Sequence, residues 1–164
     1  MENKFSVYLE TTIPSFLTAR PSNNLVVAGK QEVTRQWWEK RKEKYALYIS
    51  QYVLDEAARG NPDVAKKRMV VLEGIDLLEV DEDVIRLARV IIDSEIIPQK
   101  ASTDAGHIAV ATRHGIDFLI TWNCTHIANA EILCKINYIV SEAGYHLPTI
   151  CTLDELFGGE ENEG

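Results

Sequence analysis

Cysteine is scarce in this chain: Cys124, Cys134 and Cys151 are the only three in 164 residues, and no two of them form a CxxC pair. An odd, widely spaced set excludes a disulfide framework and points to a reducing compartment, with three small buried hydrophobes as the expectation. Long apolar runs are missing as well. No stretch approaches the roughly 18 consecutive apolar residues of a membrane span, and Met1-Glu-Asn-Lys opens no signal-peptide apolar region. The expectation is a cytoplasmic protein without membrane contact. The glycine motifs that cradle phosphates are absent too: no strand is followed by GxGxxG and no GxxxxGK[ST] occurs, which removes dinucleotide and P-loop chemistry. The absence of GxSxG removes the commonest hydrolase elbow.

A positive overall balance is also lacking, since the formal charge is -8, but its distribution matters more than its sum. Asp154, Glu155, Glu160, Glu161 and Glu163 fall in the last eleven residues without a compensating base, which leaves -3 on the rest. Residues 30–44 carry Lys30, Arg35, Lys40, Arg41, Lys42 and Lys44 against Glu32, Glu39 and Glu43, a local +3. Bulk charge therefore does not exclude a polyanionic partner. The size and the 46% hydrophobic content suit one domain over residues 1–157, followed by an acidic disordered tail at 158–164.

Patterning alternates short apolar runs with helical segments. Strands are expected at 5–9, 45–49, 75–80 and 118–121, and a fifth either near 138–140 or at 149–150. Helices are expected from Ile13-Pro14, over 25–44, from Ser50 as N-cap, over 62–72, after Asp81, from Ser102 or Thr103, over roughly 125–137, and briefly near 152–157. The set Val84, Leu87, Ala88, Ile91 and Ile92 follows the i, i+3, i+4, i+7, i+8 rule. Such alternation is the signature of βαβ units, so the fold class is α/β, a doubly wound parallel sheet covered on both faces.

In such sheets ligands sit beyond the carboxyl ends of the strands. Strand one ends in Leu9-Glu10-Thr11-Thr12 and strand four in Ile120-Thr121-Trp122-Asn123. Glu56 lies off the apolar stripe of its helix, and Asp104 begins a helix where the dipole favours a carboxylate. Three acids and an amide at one pole would repel one another unless a hard divalent cation joined them. His107 and His126 each stand three residues after a candidate, which admits either a zinc or manganese role or ordinary structural hydrogen bonding. Trp37-Trp38 beside Lys40-Arg-Lys42 admits base stacking or simple packing.

Val7-Tyr-Leu-Glu-Thr-Thr-Ile-Pro-Ser15, Val53-Leu-Asp-Glu-Ala57, Thr103-Asp-Ala-Gly-His-Ile-Ala109 and Leu119-Ile-Thr-Trp-Asn-Cys-Thr-His-Ile-Ala-Asn129 resemble the PIN-domain family in order and spacing, from about residue 5 to residue 157. The resemblance implies a three-layer α/β/α fold with a parallel five-stranded sheet and a Mg2+- or Mn2+-dependent endoribonuclease site, as in VapC-type toxins. It maps the catalytic and metal-binding set onto Glu10, Glu56, Asp104 and Asn123. On that reading Glu10 and Asp104 hold the first ion, Glu56 orients the water or a second ion, and Asn123 acts through water. Thr11 and Thr121 are phosphate or supporting contacts, and Lys40 and Arg41 are substrate-binding candidates. RNA, a small antitoxin and a second copy of the chain are the implied partners.

Two positions depart from the family pattern, which usually has Asp where this chain has Glu10 and often Asp where it has Asn123. The extra methylene of Glu10 moves its carboxylate by about 1.5 Å, one bond length. Both departures weaken the shell of the first ion. They keep open an alternative, a catalytically weakened PIN domain that acts as an RNA-binding or protein-interaction module. Carboxylate-nucleophile phosphotransferases also place an acid before threonine after strand one, but that acid is Asp, not Glu.

Overall fold

The computed structural model describes residues 3–157, so the acidic tail expected at 158–164 lies outside the described residues. The sheet is built around β1 (Ser6–Leu9), whose Val7, Tyr8 and Leu9 are fully buried, as a strand covered on both faces requires. It is joined by β2 (Ala46–Ser50), β3 (Asp76–Leu78), β4 (Phe118–Ile120) and β5 (Thr149–Cys151). All pairings are parallel and the order is β3-β2-β1-β4-β5. Val7 aligns with Leu47 on one side and Phe118 on the other. Among the described residues seven α-helices complete a three-layer α/β/α architecture: α1 (Thr12–Thr18), α2 (Leu25–Lys40), α3 (Gln51–Ala57), α4 (Pro62–Leu72), α5 (Glu82–Asp93), α6 (Ser102–Arg113) and α7 (Ala130–Glu142). This is the three-layer α/β/α architecture with a parallel five-stranded sheet that the resemblance implies.

Local chemistry explains most boundaries. Asn24, Asn61 and Asp81 cap α2, α4 and α5 by accepting backbone N–H bonds from the first turn. Helix α5 buries Val84, Leu87, Ala88 and Ile91 and leaves its other face to solvent. Each of those larger side chains contributes about 1.5–3 kcal/mol relative to exposure. Helix α6 differs, because every residue from Ala105 to Thr112 is buried. It is the helix held in the interior, packed against α5 and α3.

Several expectations need correction. The N-cap of α6 is Ala101, with no side-chain cap bond, rather than Ser102 or Thr103, and the helix expected over 25–44 stops at Lys40 before a 3-10 turn at Lys42–Lys44. The helix expected over 125–137 starts only at Ala130, because Asn123 accepts N–H bonds from Thr125 and His126 and closes a separate turn before Asn129 caps α7. Of the two places expected for the fifth strand, 149–150 is the one observed, as Thr149–Cys151, and residues 138–140 belong to α7. Of the cysteines only Cys151 is buried, whereas Cys124 and Cys134 are exposed. Ser50 occupies the N-cap position of α3 but makes no side-chain cap bond. Its hydroxyl pairs instead with the buried Tyr8 hydroxyl at 2.8 Å.

Candidate active site

Strand order reverses between β1 and β4, and the polar groups gather beyond the carboxyl ends of these two strands. The first residue after β1 is Glu10, whose backbone N–H still donates to Ile120 O on β4 at 3.2 Å. Its side chain is buried at 3% exposure, and Oε1 accepts three hydrogen bonds. These come from the Thr12 hydroxyl at 2.5 Å, the Thr121 hydroxyl at 2.6 Å and the Thr12 N–H at 3.2 Å. Both hydroxyls are aimed by a second bond: Thr12 Oγ1 accepts the Trp122 N–H at 2.8 Å and Thr121 Oγ1 accepts the Asn123 N–H at 2.9 Å. Among the described residues Oε2 of Glu10 accepts none, so it is the oxygen left for a further partner.

Helix α3 begins where β2 ends and carries Glu56 to the same pole. The Thr11 hydroxyl donates to its Oε1 at 2.7 Å, and His107 Nε2 lies 2.5 Å from that oxygen. Burial pushes the Glu56 carboxyl up, but the His107 hydrogen bond and charge, the Thr11 hydroxyl and the Arg59 charge together hold it below the usual carboxylate range. Asp104 sits in the first turn of α6. Burial pushes its carboxyl above the usual range, the Asn123 side chain opposes this as a hydrogen-bond donor, and the charges of Glu10 and Glu56 add to the rise. Three carboxyls from β1, α3 and α6 therefore feel one another. Asn123 Oδ1 accepts the backbone N–H groups of Thr125 and His126, at 3.2 and 3.0 Å.

Ligand atoms of Glu10, Glu56 and His107 all lie within 4.8 Å of one another. The buried carboxylate of Glu10 and the half-buried one of Glu56 form a hard, oxygen-rich pair, Asp104 is not among the atoms of that 4.8 Å group, and Oε2 of Glu10 has no competing donor among the described residues, so the pair fits a cation such as Mg2+ or Mn2+. His107 is fully buried and both ring nitrogens are engaged, Nδ1 by the Tyr8 hydroxyl at 2.7 Å and Nε2 by Glu56. His126 is not in this group.

The structure does not bring Lys40 and Arg41 to the site. Helix α2 ends at Lys40, one short turn before β2 begins, which puts both at the amino-terminal pole of a parallel sheet whose acids lie at the other end. Arg41 is also buried, at 7% exposure. Trp37 is fully buried and stacks on Tyr45, while Lys42 covers Trp38, so packing accounts for both indoles. The cations on the acidic side are different ones: Lys30 lies 5.6 Å from the Trp122 ring, and Arg59 acts on Glu56. Sequence reasoning missed Tyr8, Ser50 and Thr12. Tyr8 reads as an ordinary strand residue, and only the neighbouring strand shows what its hydroxyl meets.

No family model matches the chain, and no curated protein does. Among solved structures it is similar to a chain in the crystal structure of VapBC2 from Rickettsia felis bound to a DNA fragment from their promoter. The TM-score is 0.56 at 11% identity, over 90% of this chain and 98% of that chain. The likeness is one of fold. Among the described residues no helix is long and apolar enough to cross a membrane.

Proposed function

We propose that the protein is a metal-dependent endoribonuclease of the PIN type, with Glu10, Glu56 and Asp104 as its acidic centre. The observation that carries this reading is the convergence of three carboxyls, delivered by three separate elements, at the switch point of the sheet, where hydroxyl and backbone donors aim two of them. Glu10 and Asp104 would hold Mg2+ or Mn2+, with Glu56 orienting water or a second ion. Bound there, such a cation would supply positive charge near the scissile phosphate and lower the pKa of an attacking water.

The chain's own residues do the rest. Thr12 and Thr121 fix the Glu10 carboxylate through Oε1 and leave Oε2 for a further partner, and Thr11 does the same for Glu56. Their hydroxyls are thereby committed to carboxylates rather than to phosphate. Asn123 acts on Asp104 as a hydrogen-bond donor. Lys30 and Arg59 replace Lys40 and Arg41 as the groups that meet RNA phosphates, because they share the pole of the acids. The reading extends to a small antitoxin that covers this pocket, to a homodimer and to a cytoplasmic location, all carried by the resemblance in sequence.

One observation favours the alternative, a weakened domain that binds without cutting: the Asn123 oxygen caps a turn and brings no charge to the cation. Cleavage of mixed single-stranded RNA with Mn2+, with Mg2+ and with EDTA decides between the two, with Asp104→Asn prepared identically. The nuclease reading expects metal-dependent cuts that vanish in the variant. Equal inactivity of both proteins with both metals overturns it.

A further inference from the structure

Behind the acidic centre lies a chain of buried polar side chains that no step above requires. The Ser50 hydroxyl, at the end of β2, is 2.8 Å from the Tyr8 hydroxyl in the middle of β1. That hydroxyl is 2.7 Å from Nδ1 of His107 on α6, and Nε2 of His107 is 2.5 Å from Glu56 on α3. Ser50, Tyr8 and His107 are all fully buried. Polar groups in such a place must be paired, and here each is paired with the next.

We infer that His107 is a positioning residue for Glu56, and that Tyr8 and Ser50 fix the histidine so that its Nε2–H points at the carboxylate. For a neutral ring the hydroxyls permit one consistent direction. An Nε2–H that donates to Glu56 leaves Nδ1 of a neutral ring as an acceptor, so Tyr8 must donate to it, and Tyr8 in turn accepts from Ser50. Burial, the largest influence on Tyr8, raises its phenol well above the ordinary value and keeps it a donor, although the Ser50 bond opposes the rise. The ring is also fixed sterically, between Tyr8 with centroids 5.7 Å apart and Tyr52 edge-on at 6.1 Å.

Tyr52 reaches that position because residue 106 is glycine. A Cβ there would stand 3.0 Å from Tyr52 Cε2. The stretch Gly106-His107 is thus one device, a gap for the clamping ring followed by the clamped ring. Its effect is to confine a carboxylate that otherwise has several rotamers, with Oε1 held by His107 and Thr11 and Oε2 left without a hydrogen bond among the described residues.

The inference rests in part on the proposed metal site, so its test has one arm without metal. In the metal-free protein, proton NMR should show a slowly exchanging, downfield His107 Nε2–H resonance that disappears in His107→Gln and moves in both Glu56→Gln and Tyr8→Phe. Absence of this resonance from the wild-type protein overturns the inference. In the second arm, Mn2+ affinity is measured by calorimetry on variants that melt cooperatively. His107→Leu should lose about tenfold or more and Tyr8→Phe about three- to tenfold, while His107→Gln, which keeps an N–H donor, should recover most of the loss. Pulsed EPR of bound Mn2+ should show no directly coordinated nitrogen. A histidine nitrogen coupling makes His107 a ligand and overturns the positioning role. If the NMR signature is present and the wild-type protein binds no Mn2+, the relay stands and the nuclease reading falls.

Discussion

Glu10→Asp isolates how the chain uses the longer acid. In the structure Glu10 Oε1 is 2.5 Å from the Thr12 hydroxyl and 2.6 Å from the Thr121 hydroxyl. Shortening the side chain by one methylene withdraws the carboxylate by about 1.5 Å, which takes both contacts beyond hydrogen-bond range unless the strand end shifts. A hydrogen bond to a charged group contributes about 1.5–3 kcal/mol. Losing two, with partial recovery by backbone adjustment, should destabilise the fold by about 3 kcal/mol. At about 2–4 °C per kcal/mol for a chain of this size, Tm should fall by about 6–12 °C.

The assay is differential scanning calorimetry of Glu10→Asp, Thr121→Val and the double variant. Because the two residues share a bond, the double variant should be less damaging than the sum of the singles by about 1 kcal/mol or more. Calorimetric titration with Mn2+ should show no gain in affinity over the wild-type protein. A variant as stable as wild type, or one that binds Mn2+ more tightly, would refute the argument that Glu10 is built into this network and would restore the view that the longer acid merely weakens the site.

Asp104→Asn removes a carboxyl that burial and the charges of Glu10 and Glu56 hold above its usual pKa. Its ionised form therefore opposes folding at neutral pH, and the variant should melt on the order of 1–3 °C higher while losing Mn2+ binding. Glu56 has the opposite sign: its folded-state pKa lies below the unfolded one, so its contribution is present above the unfolded carboxylate pKa and is lost as pH falls through the folded value. Chemical denaturation from pH 7 down to pH 3 should show a smaller loss of stability for Glu56→Gln than for wild type, and equal slopes would contradict this. Asn129→Ala removes the cap of α7 and should cost about 0.5–2 kcal/mol in the same assay, without altering Mn2+ affinity. Ile108→Ala, in the interior of α6, should cost about 2–5 kcal/mol.

Glu10 and Asn123 were visible in the sequence because they follow strands, and a residue just beyond a parallel strand has few places to be other than the pole of the sheet. The helix of α5 was equally legible, since its apolar period matches one face. The segment 125–129 was misread for a local reason. Its composition suits a helix, but the Asn123 side chain takes the first N–H groups and closes a separate turn. The basic cluster was misread for a global one: nothing in the sequence around Lys40 and Arg41 tells which end of the sheet they occupy, and only the direction of β2 shows that they belong to the far pole.

The sequence by itself determined the class of the fold, the order of strands and helices, and which acids are candidates, because periodicity and strand-end position are properties of short segments. Only the tertiary structure decided what surrounds each acid. Which oxygen of Glu10 stays free, which carboxyl is pushed up and which is pulled down, and why His107 is buried behind Glu56 all depend on donors that come from β1, the start of α1, β2, α6 and the end of β4. Hydrogen bonds and charges act over a few ångströms, and residues 8, 50, 56, 107 and 121 come within that distance only when the sheet has formed.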